Sequence, residues 1–293
     1  MNAANTPTNG AAILRGALTP GAGLLFPGVG NALAARMVEA AGFPAMMLSG
    51  AAVANSFLGV PDLGLVSVTE LAQHVGAVCE AVNIPVLVDA DTGFGNALNT
   101  RRTVRLLERA GASALMLEDQ TYPKRWGHFD GKSVVPVDEM IGKIKAAVDA
   151  RDDPRMMILA RTDARAVEGF DAALERVRRY QEAGADWLFI EAPLTREELL
   201  AIPRVLPGIH LCNMVIGGKT PLVPREELAK AGYAAICYAN AALQASMRAM
   251  QEVLGHLHAT GSVEGMESRL MMVAERQRML GAENYQTLEG RYA

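Results

Sequence analysis

The sequence predicts an α/β protein, a (β/α)8 TIM barrel with extra helices at its carboxyl end. Three observations carry that reading: eight short apolar runs spaced for βα units, amphipathic segments between most of them, and polar residues recurring where the runs end. Apolar runs that alternate with helices indicate parallel strands covered on both faces, and eight such units fit a closed barrel better than an open sheet.

The first run, GLLFPGV at 23–29, is followed by NALAARMVEAAG, whose apolar positions keep helical spacing. The second, AMMLSG at 45–50, ends on Ser49, and SVTELAQHVGAVCEAV then opens with Ser67 and Glu70 at the spacing of a capping box. VLVDAD at 86–91 delivers Asp89 and Asp91, ALMLED at 114–119 delivers Glu118, and MMILARTD at 156–163 delivers Arg161. WLFIEAP at 187–193 supplies Glu191, HLCNMV at 210–215 supplies Asn213, and AAICYAN at 234–240 completes the eight. Past it, ANAALQASMRAMQEVLGHLHA and MESRLMMVAERQRML read as two further helices. Residues 1–293 thus read as one barrel domain, with a helical extension from about 241 to 293 whose Met- and Leu-rich faces are expected to pack on another subunit.

Half of the 293 residues are hydrophobic, enough to build one large core without disulfide or metal staples. Cys79, Cys212 and Cys237 show no metal-ligand spacing and an odd number, so they are expected as small buried hydrophobes. A net charge of −4 without a clustered basic face excludes nucleic acid as a partner. No apolar run reaches the ~18 residues of a membrane span, and the stretch MNAANTPTNG lacks the basic and apolar regions of a secretory signal, so a cytoplasmic protein with no membrane partner is expected.

In a barrel the carboxyl ends of the strands meet at one face, where catalytic groups sit. Ser49, Asp89, Asp91, Glu118, Arg161, Glu191 and Asn213 all fall there. Any one of them could simply mark a strand end, but four acidic groups at one mouth repel one another unless a cation or hydrogen-bond donors compensate. Period-two alternation places Asp89 and Asp91 on the same side of their strand. An oxygen-only donor set favours Mg2+ or Mn2+, with one or two direct carboxylates and Glu118 and Glu191 behind them orienting water. A lone Asp-x-Asp also describes a solvated loop, so the motif is weak by itself. Gly93 and Gly95, directly after it, suit close approach of backbone to a ligand. GVGNAL at 28–33 and GFGNAL at 93–98 superficially suggest dinucleotide binding, but Leu stands where the third small residue belongs and no acidic ribose ligand follows at the required distance.

Several segments together resemble the isocitrate lyase/phosphoenolpyruvate mutase superfamily over essentially the whole chain: LSG at 48–50, LGVPDLG at 58–64, VDADTGFGNA at 88–97, LEDQ at 117–120, PKRWGH at 123–128, ARTDA at 160–164, IEAP at 190–193 and NMVIGGKTP at 213–221. The resemblance is strongest to the branch of methylisocitrate lyase, dimethylmalate lyase and carboxyphosphonoenolpyruvate phosphonomutase-like enzymes. It implies a homotetramer whose last helices exchange between neighbours, acting on a small 2-keto or 2-hydroxy carboxylate. Carried over residue by residue, Ser49 and Gly50, with Ala51 beside them, would hold a substrate carboxylate. Asp91 and Asp89 would take Mg2+, backed by Glu118 and Glu191, and Arg161 would face a developing enolate oxygen. Asp62 would complete the pocket and accept the substrate's hydroxyl proton. Within the lid, Lys124 and His128 become catalytic candidates and Trp126 and Gly127 substrate contacts, while Asn213 is a further substrate contact.

One lid residue departs from the pattern. In the lyases the stretch reads Lys-Lys/Arg-Cys-Gly-His, and the cysteine protonates the second product; here Trp126 occupies that position. An indole is only a hydrogen-bond donor and gives up no proton near neutrality. After the eighth strand the lyases tend to show Tyr-Pro-Leu-Ser, whereas this chain has Tyr238-Ala239-Asn240-Ala241. Both departures lie on the side of the leaving half of the substrate. The expectation is a Mg-dependent lyase cleaving a carbon–carbon bond of a 2-hydroxy or 2-keto di- or tricarboxylate through a pyruvate-enolate-type intermediate, with His128, Tyr122 or water as acid. The alternative is decarboxylation of an oxaloacetate-type acid, whose leaving fragment needs no proton. Phosphorus–carbon chemistry ranks third, because the lid asparagine of those enzymes is missing, and a non-catalytic keto-acid-binding paralogue would not need the retained metal and arginine set. Gly127 and Gly131 are expected to give the lid its hinges.

Overall fold

The computed structural model describes residues 9–293; residues 1–8, on which most of the targeting argument rests, lie outside them. Eight strands form: β1 (Leu24–Val29), β2 (Met46–Leu48), β3 (Val86–Asp89), β4 (Ala114–Glu118), β5 (Met157–Thr162), β6 (Trp187–Ile190), β7 (Leu211–Asn213) and β8 (Ala235–Tyr238). Each falls inside one of the eight apolar runs. All pairings are parallel, in the order β6-β5-β4-β3-β2-β1-β8-β7, and β1 meets β8 from Leu24 opposite Ala235 to Pro27 opposite Tyr238. The remaining seam, β6 to β7, is joined by one parallel bridge, Leu188 to His210, with the Leu188 N–H donating to the Ile209 carbonyl at 2.9 Å. The sheet therefore circles into a (β/α)8 barrel.

Two-residue alternation divides the core into two shells. Phe26, Met47, Leu87, Met116, Leu159, Phe189, Leu211 and Cys237 fill the lumen. Their strand neighbours, among them Leu48, Val88, Leu115, Ile158, Leu188, Cys212 and Ile236, pack outward under the helices. Cys212 and Cys237 are thus buried hydrophobes, as expected, and all three cysteines are free thiols.

Local caps set the helices. Ser67 and Glu70 form the predicted capping box at the start of Val68–Ala81. Asn31 caps Ala32–Ala40, and Asn96 with Asn99 caps Ala97–Arg109, so the two Gly-x-Gly-Asn stretches are strand-to-helix joints. A Cβ at Gly93 would lie 2.3 Å from Thr100 Oγ1 and one at Gly95 2.5 Å from Asn99 Oδ1, so both glycines make a close approach to the helix that follows.

A helix that the strand pattern did not announce, Gly10–Ala17, closes the floor. Leu14, and Leu18 just past the helix end, are buried in the lumen cluster with Trp187, and Arg15 pairs with Asp186 at 2.7 Å. At the other end, Ala241–Thr260 is a 20-residue helix with no buried residue. Met247, Met250 and Leu254 stand more than half exposed along it. The second predicted helix breaks in two, a 3-10 turn at Glu267–Arg269 and a helix at Val273–Met279, because Leu270 is extended; Ala282–Tyr292 follows. Among the described residues no helix is long and apolar enough to cross a membrane.

Candidate active site

The lumen's alternation builds the site. Ser49, Asp89, Glu118, Arg161, Glu191 and Asn213 each follow a lumen-filling residue by two positions, as Leu87 precedes Asp89 and Leu159 precedes Arg161. They form a polar top layer on an apolar plug, and all but the half-buried Asn213 are buried. In such a low-dielectric setting each charge interaction is stronger than in water.

Asp91 joins this layer by a route other than alternation. β3 ends at Asp89, and Asp91 is left-handed, φ 47°. A non-glycine residue held there stores about 1–3 kcal/mol of strain, a feature that clusters at functional sites. The turn folds Asp91 back so that its N–H donates to Asp89 Oδ1 at 3.2 Å, while the Gly50 N–H donates to Asp89 Oδ2 at 3.2 Å. A Cβ on Gly50 would lie 3.0 Å from Asp89 Oδ2 and 3.3 Å from Asp91 Oδ1, so both carboxylates converge on Gly50. Ser49 caps the short helix Gly50–Val53, accepting from the Ala52 N–H at 3.4 Å, which puts Gly50 and Ala51 beside the acidic pair.

Lys124 reaches in from the lid, its Nζ 2.5 Å from Asp62 Oδ1 and 2.9 Å from Asp91 Oδ1. Burial disfavours its charge, but Asp91, Asp62 and Glu118 outweigh burial and hold the ammonium above the ordinary lysine value. Burial also pushes Asp91 up to about 6, against the pull of Lys124. Asp91 Oδ1 faces only that ammonium, and Glu118 Oε1 has no hydrogen-bond partner among the described residues. No cluster of three or more His, Cys, Asp or Glu is assembled as a metal cage among them. Two converging carboxylates without a cage fit a cation that takes few protein ligands and completes its shell from water and substrate, as Mg2+ or Mn2+ does.

Arg161 is held as a fork by Asp163, Nε to Oδ2 at 2.9 Å and Nη2 to Oδ1 at 3.1 Å. Glu118 and Glu191 each stand 3.2 Å from it, so both carboxylates contact the guanidinium. Burial pushes Glu118 well above the ordinary carboxylate value despite Arg161. Asp163 goes the other way: burial alone would raise it, but Arg161 and Lys132 hold it low. Beneath, Asp119 accepts from the Asp163 N–H at 2.9 Å, from Thr162 at 2.6 Å and from the Tyr180 hydroxyl at 2.8 Å.

The lid lies over this layer. The Gln120 side chain donates to the Arg125 carbonyl at 2.8 Å and accepts from the Arg125 N–H at 2.9 Å, bracing the loop's entry. A Cβ at Gly127 would sit 2.4 Å from Arg161 Nη2 and 2.7 Å from Glu191 Oε2. Gly127 therefore sits where no side chain fits, and Gly131 holds a positive φ, 72°. The His128 Nδ1 accepts from the Lys219 N–H at 2.9 Å, which assigns the proton of a neutral ring to Nε2, 3.4 Å from Glu191 Oε1. Burial pulls His128 below the ordinary histidine value, against Glu191. Trp126 is half-buried, its ring 5.0 Å from that of His128 and 5.2 Å from that of Phe129. Asn213, at the end of β7, accepts from the Ala239 N–H at 3.4 Å.

The structure thus gathers Ser49, Gly50, Asp62, Asp89, Asp91, Glu118, Lys124, Gly127, His128, Arg161 and Glu191 at one mouth. Sequence reasoning missed Asp163, Asp119, Lys132 and Gln120. Asp163 was in view inside ARTDA, two residues after Arg161, but nothing in the spacing says that the chain turns there and folds the carboxylate back onto the guanidinium.

The sequence profile described as phosphoenolpyruvate phosphomutase matches residues 14–258. The chain is 42% identical over 285 residues to a 2,3-dimethylmalate lyase of Eubacterium barkeri, covering 97% of this chain and 99% of that protein. It is 43% identical over 260 residues to a 2-methylisocitrate lyase of Aeropyrum pernix, covering 89% and 83%. Among solved structures, phosphonopyruvate hydrolase in complex with oxalate and Mg2+ superposes with a TM-score of 0.87 at 32% identity, over 98% of this chain and 99% of that one.

Proposed function

Because this chain belongs to the phosphoenolpyruvate phosphomutase family, we propose that it is a divalent-metal-dependent carbon–carbon lyase acting on a 2-hydroxy or 2-keto di- or tricarboxylate of the dimethylmalate or methylisocitrate kind. The observation that carries the reading is the buried Arg161, held as a fork by Asp163 beside the Asp89–Asp91 pair. In either substrate class the oxygen on carbon 2 gains negative charge: as an alkoxide in a 2-hydroxy acid, or as a pyruvate enolate in a 2-keto acid. A guanidinium already fixed in place stabilises that charge without reorganising.

The roles follow from position. Ser49, Gly50 and Ala51 bind the substrate's carboxylate, and Asp62 takes the hydroxyl proton of a 2-hydroxy acid. As the bond to carbon 3 breaks, its electron pair passes to the leaving half, which takes up a proton at carbon 3 from water, Tyr122 or His128, while carbon 2 becomes the keto group of pyruvate. Mg2+ or Mn2+ on Asp89 and Asp91 would neutralise the acidic pair and stabilise negative charge on substrate oxygens. Lys124 keeps Asp91 and Asp62 paired, and Glu191 and Asn213 line the side of the leaving half with Trp126 and Gly127. The C-terminal helices, apolar and unburied, support assembly with further copies, a homotetramer in which the extension past about residue 241 packs on neighbours of a single barrel domain. A cytoplasmic setting fits small anionic metabolites as substrates.

A second reading rests on Trp126. Its indole offers no transferable proton, and the His128 beside it, neutral and with Nε2 in no hydrogen bond among the described residues, is a poor acid, so an oxaloacetate-type decarboxylation that loses carbon dioxide suits the lid as built. One assay decides both. Pyruvate release from 2,3-dimethylmalate and methylisocitrate, present with Mg2+ and lost in chelator, is expected; pyruvate from oxaloacetate alone would select the decarboxylase, and none from any of the three with Mg2+ would sink the enzymatic reading.

A further inference from the structure

Lys132 ends the lid, and its side chain is almost wholly buried, 1% exposed, although the proposed chemistry gives it no role. It donates to the Gly127 carbonyl in the middle of the lid and pairs with Asp163 Oδ1 at 2.7 Å. The same Oδ1 accepts from Arg161 Nη2 at 3.1 Å. One carboxylate oxygen is therefore shared by a lid cation and by the guanidinium of the site.

We propose that Lys132 is a positioning residue that makes lid closure and the arming of Arg161 one event, by clamping Gly127 to Asp163 and drawing Asp163's charge away from the guanidinium. The proposal rests on the lyase reading for the chemistry that Arg161 serves. Asp163 is suited to be the fixed post. Its backbone is held from below by Asp119, which is itself held by Thr162, Tyr180 and Arg176. The moving part is the lid, and Gly127 can seat against Arg161 only because it lacks a Cβ. With Lys132 swung out, Asp163 neutralises Arg161 alone. With Lys132 in place the carboxylate divides its charge between two cations, and more of the guanidinium's positive potential is left for an oxyanion. Removing Lys132 leaves Asp163 still paired with Arg161, so the barrel keeps its buried ion pair.

The chain carries its own reporter. Of its two tryptophans, Trp187 is fully buried in the lumen and Trp126 sits half-buried in the lid, so acrylamide quenching reads Trp126 over a shielded background. Full-length protein with Lys132→Met, Lys132→Gln and Lys132→Arg would be compared with the parent chain, with and without Mg2+ plus oxalate. Lys132→Met is expected to raise the quenching constant in both states and to lower kcat on the order of 100-fold, as a misplaced catalytic group does, with KM little changed. Lys132→Arg should restore the greater part of both. Lys132→Gln, which can still donate to Gly127 but carries no charge, should stay nearer the parent in quenching while remaining slow.

Unchanged quenching and unchanged kcat in Lys132→Met would overturn the proposal. So would a parallel fall of kcat and melting temperature without a change in quenching, which marks a merely structural lysine. If Lys132→Met does not fold, the glutamine and arginine variants carry the same readouts, and equal rates in those two would overturn it. Should the parent chain release pyruvate from no substrate, the lyase reading fails separately, and quenching of the ligand-free variants still decides whether Lys132 holds the lid.

Discussion

At Gly127 the lid has no room for a methyl group, since a Cβ would meet Arg161 Nη2 at 2.4 Å. Gly127→Ala should therefore hold the lid off the site, cutting turnover while the melting temperature stays put, because the loop lies outside the two core shells. Arg161→Lys keeps a charge but loses the fork that Asp163 grips, and the loss in kcat is expected at about 100- to 1,000-fold, the scale for removing one preorganised donor. A fall in KM-governed binding alone would show that Arg161 serves the ground state. His128 gives a pH test. Burial pulls its pKa below the ordinary histidine value, so cleavage that relies on its charged ring as acid should climb with a midpoint below about 6.5, the unperturbed value, and His128→Asn should flatten the climb. Much of this residue-level picture was legible beforehand. Asp89, Glu118, Arg161 and Glu191 end apolar strands, and alternation aims them into the lumen. Asp91 was right in place and wrong in reason, since its left-handed backbone, not strand periodicity, points it at Gly50. Asp163 and Lys132 were hidden because their partners are set by turns, which leave no period in a sequence.

Strands and lid behave differently as elements. The eight strands were readable because each is a continuous apolar run, as a strand buried on both faces must be, and the helices were readable where a cap such as Ser67 with Glu70 marks the start. The floor helix Gly10–Ala17 was not, because it is short and lies ahead of the first βα unit. The carboxyl extension was half readable: its apolar content is real, but the extended Leu270 splits what spacing alone would join. For the lid, Trp126→Cys separates the two readings by the sign of one rate. A thiol restored at that position should create or raise cleavage of methylisocitrate if the tryptophan removed lyase chemistry, whereas a lid that depends on the indole's packing against His128 and Phe129 should lose its native activity to entering water.

For the molecule as a whole, the helix Ala241–Thr260 leaves Met247, Met250 and Leu254 open along its length. An exposed apolar patch of that kind is the surface that assembly with further copies, as proposed above, would cover. Met250→Glu combined with Leu254→Glu should reduce the mass measured by light scattering to that of one chain, and a mass that does not move would place the subunit contact elsewhere. The floor has a different consequence. Leu14 and Leu18 stopper the lumen beneath Trp187 and side chains fill it up to the polar layer, so the described residues leave the site one approach, past the lid, and traffic there must queue. On the lyase reading proposed above, the fragment against Trp126 would stand nearer the exit and the one against Asp89 and Asp91 would wait behind it. Release should follow that order, so pyruvate would compete with the incoming substrate for the empty vessel, while the outer fragment would slow turnover without competing.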